Sequence, residues 1–205
     1  MTVFTHLDGI VFDCDGTLAD TMPLHWLAWD ATAKRHGIQF SEPRFYALGG
    51  VPARAILKQL CEEQNLTLDP LAVASEKEAA YLTYLDQVKP IEAVVQIARE
   101  HHGKIPLGVA SGGTQDIIDL VLRRLGIRNL FDAVVTSEDV VRQKPAPDIF
   151  LEAARRLGVQ ASRCRGYEDT ELGMQAIRSA GMEAVHVDEV LQNASPPWNR
   201  GLEPR

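Results

Sequence analysis

Cysteine is scarce and scattered in this chain. Cys14, Cys61 and Cys164 form an odd set with no C-x-x-C pair, so neither a disulfide framework nor a zinc site is expected. No apolar run approaches the roughly 20 residues of a membrane span. An excess of positive charge is also missing. The 21 Lys and Arg stand against 28 Asp and Glu, a net charge of −7, which leaves no basic footprint for nucleic acid. The amino-terminal MTVFTHLDGIVFD has no basic region leading into a long apolar stretch. No secretory leader is expected, and the reading is of a cytoplasmic protein without membrane or nucleic-acid partners. There is no internal repeat.

What is present is ordinary globular material. Apolar residues make up 45% and charged residues 24% of 205 residues, and a chain of this length buries roughly 70% of its unfolded surface without a covalent staple. Leu7 to Phe12 is a short apolar run that ends in the polar turn Asp13-Cys14-Asp15-Gly16-Thr17, the pattern of a buried parallel strand. From Pro23 to Tyr84 the apolar residues recur at helical spacing, and Gly37, Gly49-Gly50 and Asp69-Pro70 punctuate about four helices.

After Pro90 the pattern alternates. Helices are expected at Ile91–His101, Gln115–Leu125, Pro147–Leu157 and Glu171–Ala180. Strands are expected at Leu107–Ala110, Ala133–Thr136, weakly at Arg165–Tyr167, and at Ala184–Val187. Alternation implies an α/β fold with a doubly wound parallel sheet and an inserted all-helical cap. The expected division is 1–18 with 89–191 as the core, 19–88 as the cap, and 192–205 as a loosely ordered tail. The hinge should lie near Ala19-Asp20 and Val88-Lys89.

In open α/β sheets, ligands bind beyond the carboxyl ends of the strands. Those ends deliver Asp13 and Asp15, then Ser111 with Gly112-Gly113-Thr114, then Lys144 before Pro145, then Glu168 and Asp169. Carboxylates held close oppose one another's ionisation. A hard divalent cation relieves that cost, and Mg²⁺ uses carboxylates beside a phosphate. Strand alternation turns Asp13 and Asp15 one way and Cys14 the other. Gly16 permits the tight turn, and Thr17 offers donors to an anion.

These four ordered motifs resemble those of the haloacid dehalogenase superfamily, along nearly the whole chain. His25-x-x-Ala28-Trp29 and Lys144-Pro-Ala-Pro-Asp-Ile-Phe150 resemble its β-phosphoglucomutase-like branch, and especially small sugar phosphatases of the fructose-1-phosphate phosphatase type. The resemblance implies that Asp13 attacks phosphorus and Asp15 serves as acid and then base. It implies Mg²⁺ held by the Asp13 carboxylate, the Asp15 backbone carbonyl and Asp169, with Glu168 supporting the metal shell. It implies that Ser111 and Lys144 bind phosphoryl oxygens. The partner would be a small phosphorylated metabolite, and a monomer is the expectation.

The cap is less legible. His25 and Trp29 share a helical face, so Trp29 reads as cap core. His25 reads either as a satisfied surface or hinge histidine or as a partner of Asp15. Lys77 matches a cap lysine of the mutase branch in position, but within Glu76-Lys77-Glu78 it reads as a solvated residue. The segment Leu48 to Arg54, with Gly50 and Arg54, is the expected specificity loop. It has Gly49 where mutases carry a basic residue, which favours a phosphatase over a mutase, although Arg54 and Lys58 keep the mutase open. A signalling receiver domain also gathers acids around Mg²⁺, but it accepts phosphate on a middle strand and lacks a helical insertion of this size.

Overall fold

The computed structural model describes residues 7–194. Strand β1 (Gly9–Phe12) leads through the polar turn into β2 (Ala19–Asp20), which pairs antiparallel with the distant β3 (Lys89–Pro90). Between these two short strands lie α1 (Met22–His36), α2 (Glu42–Ala47), α3 (Ala53–Gln64) and α4 (Pro70–Leu82). The ribbon β2–β3 falls at the expected hinge; it escaped sequence reading because two-residue strands carry no period.

The chain then alternates: α5 (Glu92–His101), β4 (Leu107–Ala110), α6 (Gln115–Arg124), β5 (Ala133–Val135), α7 (Asp148–Leu157), β6 (Cys164–Glu168), α8 (Glu171–Ser179), β7 (Glu183–His186) and α9 (Val187–Asn193). The five long-range strands form one parallel sheet in the order β5-β4-β1-β6-β7. Strands β1, β4 and β5 are wholly buried, which is why they are apolar on both faces. Alternation sends Ile10 and Phe12 to α5 and α6, and Val11 to α7 and α8.

Several boundaries differ from expectation. Val187 begins α9 rather than ending the last strand, because His186 caps that helix by accepting from Asp188 N. Helix α9 then runs through Asn193, two residues into the expected tail; residues 195–205 lie outside those described. Strand β6 is longer than its composition suggests. Its Arg165 stands opposite Glu183 of β7 in register and is bonded to it at 3.0 and 3.1 Å. That cross-strand pair makes a charged residue acceptable in a strand.

The cap has its own apolar cluster, with Trp29, Phe45, Ile56, Leu57, Leu60 and Val73 at its centre. Leu24, Ala28 and Tyr81 instead join the cluster over the sheet, so α1 and α4 are shared between both bodies. Among the described residues, no helix is long and apolar enough to cross a membrane.

Candidate active site

The sheet order reverses at β1, whose neighbours are reached by crossovers in opposite directions, and a ligand crevice opens beyond such a strand. Asp13 and Asp15 line the cavity there, while Cys14 packs into the core, as strand alternation requires. Gly16 sits at φ 86°, and a Cβ on it would collide with the Asp169 carboxylate. The glycine therefore lets the first turn approach the fourth motif.

Asp13 is buried, and Lys144 Nζ donates to its Oδ1 at 2.6 Å and to Glu168 Oε1 at 2.8 Å. Glu168 Oε2 accepts from the amide and hydroxyl of Thr170. Thr170 also caps α8 by accepting from Gly173 N at 3.1 Å, and any side chain at Gly173 would collide with Glu168. Thr17 Oγ1 donates to Asp169 Oδ1 at 3.1 Å. Its hydroxyl is thus directed at a carboxylate, which corrects the expectation that it would donate to a bound anion.

Asp13, Glu168 and Asp169 each present a carboxylate oxygen within 4.8 Å of the others. Burial raises the Asp13 carboxyl well above its usual range, against the pull of Lys144. Burial and then the Glu168 charge push Asp169 up to about 7. Acids this reluctant to ionise form a donor set that suits a hard divalent cation.

The Asp15 side chain is not part of that group. It turns toward the cap, where Thr21 Oγ1 donates to its Oδ1 at 2.6 Å and His25 Nε2 lies 3.3 Å away. Ser111 Oγ donates to its Oδ2 at 3.4 Å. Burial would raise the Asp15 carboxyl, but the hydrogen bonds from His25 and Thr21 and the positive charge of Lys77 outweigh it and hold it at about 2.

Lys77 Nζ sits 2.9 Å from His25 Nδ1. With Lys77 an ammonium, Nδ1 must accept, which leaves the Nε2 proton for Asp15. Burial, and then the Lys77 charge, lowers the His25 pKa and favours this neutral tautomer. Tyr81 stacks on the imidazole at 3.8 Å and fixes its plane.

Of the alternatives left open by the sequence, His25 therefore meets Asp15. Lys77 corrects the solvated reading: it is buried, because α4 packs against α1 and surrounds the ammonium with His25, Glu78 and the rings of Trp29 and Tyr81. Gly50 and Gly112 line the cavity and meet directly, and a Cβ on Gly112 would strike the Gly50 carbonyl oxygen. Arg54 is a further correction. It is exposed and does not line the cavity, because α3 turns Ala53 and Ile56 inward and carries the next residue about 100° around the axis. Thr21, Tyr81, Glu78 and Thr170 were missed. Only Thr170 had a sequence signal, as an N-cap before the α8 pattern.

Residues 7–181 match the model of the haloacid dehalogenase-like hydrolase family. The chain is 42% identical over 180 residues to the fructose-1-phosphate phosphatase YqaB of Escherichia coli, covering 87% of this chain and 95% of that protein. It is 31% identical to the β-phosphoglucomutase of Bacillus subtilis, over 89% of this chain and 84% of that one. Among solved structures, a β-phosphoglucomutase from Clostridium difficile superposes with a TM-score of 0.79 at 28% identity, covering 88% and 84% of the two chains.

Proposed function

Because the chain belongs to the haloacid dehalogenase-like hydrolases, we propose that it is a Mg²⁺-dependent phosphatase. It hydrolyses a small phosphorylated sugar through an aspartyl phosphate on Asp13. One observation carries this reading: two carboxylates two residues apart stand in opposite surroundings. Asp13 faces Lys144 and the acidic group, whereas Asp15 faces a proton-bearing network of Thr21, His25 and Lys77. Such a split separates a nucleophile from an acid–base group.

Asp13, Glu168 and Asp169, with the Asp15 backbone carbonyl, would hold Mg²⁺, which supplies charge neutralisation on the phosphoryl oxygens. Lys144 and Ser111 hold phosphoryl oxygens, and Lys144 offsets the Asp13 charge. An Asp13 oxygen attacks phosphorus as the bond to the sugar oxygen breaks, and Asp15 passes a proton to that oxygen. Water then attacks the aspartyl phosphate, gives its proton to Asp15, and inorganic phosphate leaves. At rest Asp15 is ionised; an incoming phosphoryl dianion raises its affinity for the proton it must donate.

The cap, residues 19–88, moves as a unit about the β2–β3 ribbon. The cavity between it and the core holds about 70 Å³, well below the roughly 300–1,000 Å³ of small-molecule sites, so substrate enters an opened form. Closure excludes water and commits the substrate.

The test is turnover of sugar monophosphates with Mg²⁺, following phosphate and sugar together. Phosphate released in step with free sugar is the expected result, with activity lost on chelation. Conversion of β-glucose 1-phosphate to its 6-phosphate isomer with little free phosphate would replace this reading with the mutase. Full turnover after exhaustive chelation would remove the metal from it.

A further inference from the structure

The cavity has two unlike ends. Its core end carries the acids and Ser111. Its cap end is lined by apolar side chains, among them Met22, Trp29, Phe45 and Ile56, with one charged pair, Lys77 and Glu78. A substrate held by its phosphoryl group at the core end must place the rest of itself against that cap end.

A second anionic group would find no counterion there. Among the described residues, Lys77 is the one cation that lines the cavity, and it is engaged by His25 Nδ1 at 2.9 Å and by Glu78 Oε1 at 3.2 Å. The nearby cap cations Arg54 and Lys58 are exposed and lie outside the cavity. Gly112 and Gly113 complete the wall without charge.

Glu78 is different in kind. Its side chain is partly open, at 26% exposure. Only Oε1 is engaged, and among the described residues no hydrogen bond reaches Oε2. An ionised carboxylate accepts hydrogen bonds and cannot donate them. It suits the hydroxyls of a polyol and opposes a carboxylate or phosphate. The apolar lining suits the C–H face of a carbohydrate.

Resting on the phosphatase reading, we propose that Glu78 is the specificity-determining residue of the cap. It accepts hydroxyl groups from the distal half of a neutral sugar monophosphate, and it rejects substrates with a second anionic group. The substrate class is therefore neutral phosphorylated polyols, to the exclusion of sugar bisphosphates and phosphorylated sugar acids.

The experiment measures kcat/KM for wild type, Glu78→Gln and Glu78→Lys on four esters: a hexose monophosphate, a phosphorylated aldonic acid, a hexose bisphosphate, and a hydroxyl-free aryl phosphate that reports chemistry alone. Wild type should prefer the hexose monophosphate over both doubly anionic esters by at least about tenfold. Glu78→Gln should narrow that preference by about tenfold, and Glu78→Lys should narrow it further, each read as the ratio between esters so that a common loss passed through Lys77 cancels. Glu78 also touches Lys77, and a role confined to supporting Lys77 would lower all four esters in parallel; that result overturns the assignment. An unaltered preference in both variants overturns it as well, while leaving the phosphatase reading intact. Wild type inert toward every ester, the aryl phosphate included, brings both down.

Discussion

The core and the cap face one cavity and furnish it differently. On the core side the candidate groups are tied to one another by buried or half-buried bonds: Lys144 to Asp13 and Glu168, Thr170 to Glu168, Thr17 to Asp169. These groups sit at strand ends of a parallel sheet buried on both faces. The cap side is mainly apolar and rests on its own cluster, joined to the core by a two-residue ribbon and by Leu24, Ala28 and Tyr81. In the proposed reaction, the core holds the group that must be placed to a fraction of an ångström, and the separately packed body meets the variable part of the substrate. Among the contacts that cross between them is the thread Lys77 to His25 to Asp15, so a core acid completes its hydrogen bonds only when the cap is in place.

The sharpest break of this division is Asp13→Asn. Loss of the nucleophile should reduce turnover by at least about 10⁴-fold, with no trappable phosphoenzyme and with the cap's hydrogen-exchange protection unchanged. Asp15→Asn should cost about 10²–10⁴-fold while retaining Mg²⁺ affinity measured by calorimetry, because its side chain stands apart from the acidic group. Normal turnover in this variant would remove the acid–base assignment.

Leu57→Ala empties part of the cap's own cluster, where Leu57 is fully buried. It should destabilise by about 2–5 kcal/mol, with faster hydrogen exchange confined to α1 to α4. Acceleration spread equally through β1 and β4 would show that the two bodies fold as one. Lys77→Met cuts the thread while preserving volume. A loss in kcat of about 10–100-fold, with aryl phosphate and sugar phosphate affected alike, is expected from the loss of a charge-assisted hydrogen bond that orients His25. Arg54→Ala should be the mildest, within about twofold in kcat/KM, since surface changes away from such features have small effects. A large loss there would return Arg54 to the cavity.

The core was legible because each of its signals is local. An apolar run ending in a polar turn marks a buried strand and its end, and that grammar located Asp13, Ser111 and Asp169, with Lys144 further along the loop that follows β5. Strand β6 was faint because Arg165 makes sense only beside Glu183 of the neighbouring strand. The cap's helices were legible by period, but not the direction of their charges. Lys77 lies between two glutamates and has the sequence look of a solvated residue, and Arg54 had the look of a substrate clamp. The structure exchanges them, because packing of α4 on α1 faces Lys77 inward while the phase of α3 faces Arg54 outward.

The sequence by itself determined where the strands of the parallel sheet fall along the chain, the place of the inserted helices and the acids that arrive at the strand ends. All of these follow from hydrophobic period and turn chemistry within a few residues. The tertiary structure decided which charges are buried and with whom. Lys144 meets Asp13 across 131 positions and Lys77 meets His25 across 52. A buried charge is tolerated only where a partner awaits it. No window of sequence contains both partners, so whether an ionic side chain points to water or into a site is settled only when the sheet and the cap have brought the two segments together.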